Sequence, residues 1–338
     1  MKKSVFIIPT VLTALTLGVA GCGTNTASDN ANAATTSTGS SVSTANQASS
    51  SSQTTTSQAA SASFPVTLKD GAGHTVTISK QPQRIASTTE GTDEILTALV
   101  PKKDIVLVTN YADDPQYSNV TSFVKGIPTI QNLTAEQVIA AKPDLVLTAS
   151  YAKQSVISQI EQAGIPAYEF NTFNSIADIE RNIQVVGKLV GQEAKAAKVV
   201  TTMQSQLQNV EDAVKGQKKV SVLDYSSYGY AAGSSTTVND VIVDAGGINA
   251  ASKLNGWKQI TDEEIVKLNP DVIIDANNDK GFVQKILSDP ALKDVSAVKN
   301  HRVYSVNSAD LTSVSQYVTR GVQDVAKLLY PNVQIGNE

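Results

Sequence analysis

A chain of 338 residues is longer than one core ordinarily sustains, since single cores stop growing near ~250–300 residues, so two domains plus accessory segments are expected. The formal net charge of -4, a pI near 5.3 and the lack of Lys/Arg runs exclude the electrostatic footprint needed to grip phosphate backbones, and with it nucleic acid as a partner. A single cysteine excludes an internal disulfide and a cysteine-built zinc site.

Met1, Lys2 and Lys3 precede an apolar stretch over residues 5–19, which runs into Val19, Ala20, Gly21 and Cys22. This is the layout of a secretory signal peptide over 1–21, with an apolar part short for a membrane span. Its last four residues resemble a bacterial lipobox, implying that Cys22 becomes the lipidated first residue of an exported chain. Residues 23–63 are mostly Ser, Thr, Ala, Asn and Gln, with Val42 the only large aliphatic side chain and Asp29 the only charge. Such a segment buries too little apolar surface to offset its chain entropy. Residues 22–63 therefore read as a lipidated tether spanning on the order of 35 Å.

From residue 64 the pattern is regular. Residues 66–78 alternate around a Gly-rich turn as a hairpin does. Residues 84–87 read as a strand, 92–99 as a helix, and 105–109, 144–148 and 167–170 as further strands separated by helical pattern. Residues 192–216 contain no proline and space Val200, Met203, Leu207, Val210 and Val214 by three and four, which predicts an amphipathic helix about 36 Å long. A second series follows, with a strand at 220–223, a helix at 238–245 ended by Gly246 and Gly247, and strands at 272–275 and 303–306. The fold class is α/β: two mostly parallel lobes, 64–190 and 217–338, joined by one rigid helix at 191–216 that limits opening and closing.

The lobes share a gapless repeat. Residues 133–147 align with 260–274, matching Thr134 to Thr261, Glu136 to Glu263, Pro143 to Pro270 and Asp144 to Asp271. Each copy carries a Thr N-cap with Gln137 or Glu264 three residues on, a capping box, and a Pro-Asp turn that stops the helix before a buried strand.

The residues from Asp70 to Ile78, the run Pro82 to Ser87, Glu94-Ile95-Leu96, the two Pro-Asp units, Val186 to Gly191, Ala245 to Asn249 and Trp257 resemble, in order and spacing, the ferric-siderophore and cobalamin binding proteins of ABC importers. The resemblance covers nearly all of 64–331. It implies class III solute-binding architecture, with ligand held between two α/β lobes joined by a long helix. An ABC permease and its ATPase are the implied partners. The expected protein is monomeric, lies on the outer face of the cell membrane and touches the membrane only through its lipid.

Ligands of open α/β sheets bind beyond the carboxyl ends of the strands. Here those ends lead into Thr88, Thr89 and Glu90, Asn110 and Tyr111, Ser150 and Tyr151, and Asn171. In the second lobe they lead into residues 225–230, which include Tyr225, Tyr228 and Tyr230, and into Asn277 and Asn307, with Trp257 in the loop ahead of the second repeat. Aromatic faces with polar tips suit a large, partly apolar chelate. The candidate ligand-binding set is Tyr111, Tyr151, Tyr225, Tyr228, Trp257, Thr89 and Glu90, and the resemblance implies ligand contact at Tyr111, Tyr151 and Trp257. Tyr230 reads as a plain surface cap.

Only His74 and His301 are present, both expected at the surface, which argues against a receptor for bare zinc or manganese. A metal would arrive inside a chelator. Ferric siderophore is the first reading of the cargo and a cobalamin-type corrinoid the alternative. Thr129 and Gln131 stand where some siderophore receptors place Arg, which weakens the case for a strongly anionic chelate. No cofactor is expected. An extracytoplasmic enzyme is the rival class, but nucleophile-elbow, zincin, Walker and dinucleotide-binding motifs are absent, and Asp113 and Asp114 read as a solvated turn. Glu136 and Glu263 fit helix-dipole stabilisation singly. As a matched pair, one per lobe, the resemblance implies docking onto a two-fold permease.

Overall fold

The computed structural model describes residues 63–336, so the signal peptide, Cys22 and nearly all of the tether lie outside the described residues. The described chain opens with an antiparallel hairpin, β1 (Val66–Lys69) and β2 (Thr75–Ile78). The first lobe continues with β3 (Ile85–Ser87), α1 (Glu90–Leu99), β4 (Ile105–Thr109), α2 (Thr121–Val124), β5 (Thr129–Ile130), α3 (Ala135–Ala140), β6 (Leu145–Ala149), α4 (Gln154–Gln162), β7 (Ala167–Phe170) and α5 (Ile176–Leu189). Its five strands pair in the order β5-β4-β3-β6-β7, all parallel. Strands β3, β6 and β7 are buried throughout, including Ser87, Thr148 and Glu169, which is why none of them reads as a polar–apolar alternation.

The strut α6 (Glu193–Val214) leads into β8 (Ser221–Asp224), β9 (Tyr230–Ala232), α7 (Thr237–Asp244), β10 (Ile248–Asn249), β11 (Trp257–Gln259), α8 (Asp262–Leu268), β12 (Val272–Ala276), α9 (Phe282–Ser288), α10 (Ser296–Lys299), β13 (Val303–Val306), α11 (Ser308–Leu311) and α12 (Val318–Leu329). The second sheet is parallel, ordered β10-β8-β12-β13, and β9 with β11 forms a small antiparallel ribbon. Helix α6 packs against α1 and α5 on one side and α7 and α12 on the other. Val200, Met203, Val210 and Val214 are buried, while Leu207 is half-buried. One apolar core runs from Leu145 and Ile179 through Met203 to Val241 and Val322, so the sheets share a core along the strut.

The repeat has a physical purpose at its Pro-Asp turn. Asp144 accepts the backbone N–H groups of Gln83 and Arg84 at 2.9 Å each, and Asp271 accepts that of Ser221 at 3.0 Å. Each aspartate thus ties its own strand to the start of the neighbouring central strand. The residue before each proline, Lys142 or Asn269, takes a left-handed conformation, with φ of 50° and 44°. The capping box is complete at Thr261 and Glu264. At Thr134 only half of it forms, because Gln137 accepts the threonine hydroxyl at 3.2 Å instead of the N-cap backbone N–H.

Three expectations change. Helix α1 begins at Glu90 rather than 92, since Thr89 caps it by accepting the Thr92 N–H at 3.2 Å. Thr89 and Glu90 are therefore a helix start, not a loop. Trp257 lies on β11, not in a loop, and the pairing of Gln259 with Tyr230 puts it on the same ribbon face as Tyr230. Strands β5, β9, β10 and β11 have two or three residues, too few to show a period.

Candidate functional site

At the carboxyl ends of β3, β4 and β6 the first lobe opens into a cavity of about 480 Å³, lined among others by Thr89, Glu90, Asn110, Tyr111, Gln131 and Tyr151. Four of the seven predicted ligand residues thus meet at one place. Tyr111 and Tyr151 are 47% and 73% exposed and turn aromatic surface outward. Tyr151 is accessible but sits in a concavity. Desolvation in that concavity, then Asp93, Glu90 and Tyr111 nearby, raises the phenol to about 12. The Tyr111 ring meets Tyr117 edge-on at 5.2 Å.

Tyr117 in turn lines a second cavity of about 530 Å³, whose other walls are Ser227, Tyr228, Asn278, Asp279, Lys280 and Lys285 of the second lobe. The Tyr111–Tyr117 pair therefore joins a first-lobe cavity to one lying between the lobes. Tyr228, at 80% exposure, is where the strand-end rule puts it. Its loop is held by Asp279, which accepts both the Ser227 N–H and the Ser227 hydroxyl at 2.6 Å. Asp275 is raised to about 9, first by burial and then by neighbouring Asp279.

Tyr225 is a correction. It is 8% exposed and packs with Leu223, Ala231, Ile260 and Phe282. Two residues beyond Leu223 along an extended chain, it falls on the same sheet face, which faces the core. Trp257 is half exposed and lines neither cavity. Asn171 donates to the Gly71 carbonyl, Asn277 accepts from Ser308 at 3.1 Å, and Asn307 caps α11, so all three brace local structure.

The sequence reading missed the acidic face of α1. Asp93 and Glu94 are fully buried. Asp93 accepts the Thr109 hydroxyl at 2.6 Å and its N–H at 3.1 Å. Glu94 accepts the Asn119 N–H at 2.7 Å together with the hydroxyls of Ser313 and Ser315, and so links the first lobe to the segment before α12. Burial raises Glu90, Asp93 and Glu94, and Glu90 is pushed further by Glu94 and Asp93. Three carboxyls within five residues at the start of a helix with a buried apolar half were the available signal.

Asp224, 3% exposed on β8, is raised to about 7 by burial, partly offset by the Ala232 N–H. A carboxyl whose folded value lies above its unfolded one favours the fold at low pH and loses that contribution as pH climbs toward the folded value. Stability is therefore expected to fall between pH 5 and pH 8, with on the order of 2–3 kcal/mol assignable to Asp224. Urea midpoints of the wild type and Asp224→Asn at both pH values check this: the variant should show a correspondingly smaller fall.

Glu136 and Glu263 are both exposed in the first turns of α3 and α8. The backbone N–H at the helix start and the Thr261 hydroxyl hold Glu263 below the usual carboxylate range.

The profile of the periplasmic binding protein family matches residues 85–309. The chain belongs to that family. An uncharacterized ABC transporter substrate-binding lipoprotein of Bacillus subtilis is 32% identical over 280 residues, covering 80% of this chain and 87% of the relative. A cobalamin-binding protein of Halobacterium salinarum is 25% identical over 276 residues, covering 79% and 73%. The crystal structure of a possible iron-binding (periplasmic solute-binding) protein from Staphylococcus epidermidis superposes with a TM-score of 0.67 at 26% identity, over 74% of this chain and all of that one. Among the described residues no helix is long and apolar enough to cross a membrane.

Proposed function

We propose that this substrate-binding protein of an ABC importer captures a metal chelate between its lobes and presents it to the permease. The observation that carries the reading is the pairing of two cavities at the strand ends, joined by Tyr111 and Tyr117 and bordered by the exposed Tyr151 and Tyr228. Their aromatic faces and scattered polar groups suit a large, partly apolar ligand. A ferric siderophore is the first reading of the cargo. The likeness to a cobalamin-binding protein favours a corrinoid as the second. The proposed docking residues are Glu136 and Glu263. The proposed anchor is a lipid on Cys22, with 22–63 as tether, 64–190 and 217–338 as lobes and a monomeric body; metabolic labelling that puts no lipid on the protein would refute the anchor.

Tyr151→Ala and Tyr111→Ala are each expected to weaken cargo binding by ~1–3 kcal/mol, the usual cost of losing an aromatic anchor. Fluorescence titration with a panel of ferric siderophores and corrinoids measures it. Unchanged affinity in both variants would move the site elsewhere, and turnover of a substrate by the purified protein would favour the enzyme reading.

A further inference from the structure

The first-lobe wall of the cleft carries hydrogen-bond acceptors that the protein leaves without donors. Glu90 Oε1 and Asn110 Oδ1 are buried, have no partner and belong to residues lining the cavity. Asp93 Oδ1, at the next turn of α1, is likewise buried without a hydrogen bond of ordinary geometry, although its other oxygen takes two bonds from Thr109 and the Ser87 hydroxyl lies close enough to act on the carboxyl. Unpaired buried oxygens are uncommon and costly, and a cluster of them on one cavity wall calls for a donor from outside the chain. Among the described residues no group of three or more His, Cys, Asp or Glu side chains is arranged to hold a metal ion.

The surroundings point the same way. Desolvation raises the Tyr151 phenol first, and Asp93 and Glu90 raise it further, which places its hydroxyl in the field of the same carboxyls. The one cation lining this cavity, Lys153, is exposed at the start of α4. On the other side the second-lobe wall carries Lys280 and Lys285, the latter donating to the Ser227 carbonyl at 3.0 Å. The cleft is thus acceptor-rich on one side and carries two lysines beside one aspartate, Asp279, on the other.

We infer that the Glu90–Asn110 wall is a specificity subsite for cargo bearing peripheral N–H donors, such as a primary amide or an ammonium group, and that it turns away chelates whose whole surface is anionic. The inference rests on the reading that this cleft captures cargo. An N–H group entering the wall completes the open oxygens of Glu90 and Asn110. An anionic oxygen placed there would face the carboxyl oxygens of Glu90 and Asp93 and be repelled by either of them when ionised. The polarity across the cleft also sets the orientation, with the donor edge toward the first lobe.

The test titrates the full mature chain with three probes: a ferric trihydroxamate carrying a free ammonium group, a cobalamin carrying primary amides, and a trianionic ferric tris-catecholate. At least one donor-bearing probe is expected to bind more tightly than the catecholate. Glu90→Leu should weaken that probe at least tenfold, and Glu90→Gln, which keeps a carbonyl acceptor, no more than a few-fold, with thermal melts showing both variants folded. Equal binding of the donor probe to wild type and Glu90→Leu would mean that water serves these oxygens and would overturn the inference. Tightest binding by the catecholate, lost in Tyr151→Ala, would also overturn it while leaving capture in the cleft intact. Failure of all three probes to bind would overturn both readings.

Discussion

Replacing Glu94 by alanine is expected to cost about 3–5 kcal/mol of stability, far more than an ordinary helix substitution. The Glu94 carboxylate is where α1 is fastened to the other lobe. Its removal strips the Asn119 N–H and the buried hydroxyls of Ser313 and Ser315 of their acceptor at one stroke. Water has little room to replace it, because neighbouring Gly91 lies so close to Val314 that a Cβ there would stand 2.7 Å from its methyl group. The Glu94 backbone carbonyl also accepts from Gln316 at 3.0 Å, a bond the substitution leaves in place. Glu94→Gln keeps one oxygen and should lose roughly half as much. Denaturant unfolding measures both, and a loss under 1 kcal/mol for Glu94→Ala would mean that this network does not fasten the lobes.

The double variant Glu136→Ala with Glu263→Ala is expected to retain cargo affinity within about twofold and to lose at least tenfold in uptake and in stimulated ATP hydrolysis. Both glutamates are exposed one position into helices whose Thr caps and Pro-Asp stops correspond, so the repeat presents the two charges at equivalent points of the two lobes. Exposed charges so placed steer association and fix register, and their effect weakens as salt rises. Helix-dipole stabilisation alone, worth a few tenths to ~1 kcal/mol, would change stability slightly and leave transport untouched. Transport at the wild-type rate in low salt would assign both residues to that role.

The two-lobed fold is legible in the sequence because its central strands are short, aliphatic-rich runs and its strut keeps a helical period for 22 residues. The strand-end rule also finds the first-lobe cavity, since parallel sheets present their loops on one edge. It fails at Tyr225, where the alternation from Leu223 outweighs proximity to the strand end. It fails again at Trp257, whose three-residue strand is set by pairing with β9, a long-range fact that no local pattern carries. The buried carboxyls of α1 are hidden for a related reason. An acidic residue in a helix reads as a solvated face until the segment 313–316 from the far end of the chain is laid against it.

Capture between the lobes is tested most directly by hydrogen exchange of the full mature chain with and without the tightest-binding member of the siderophore and corrinoid panel. Slowed exchange is expected at residues 109–111 and 150–152 of the first lobe and at 226–229 of the second, in the same titration and with the same midpoint. Protection confined to one lobe, or centred outside these three segments, would contradict capture in the cleft.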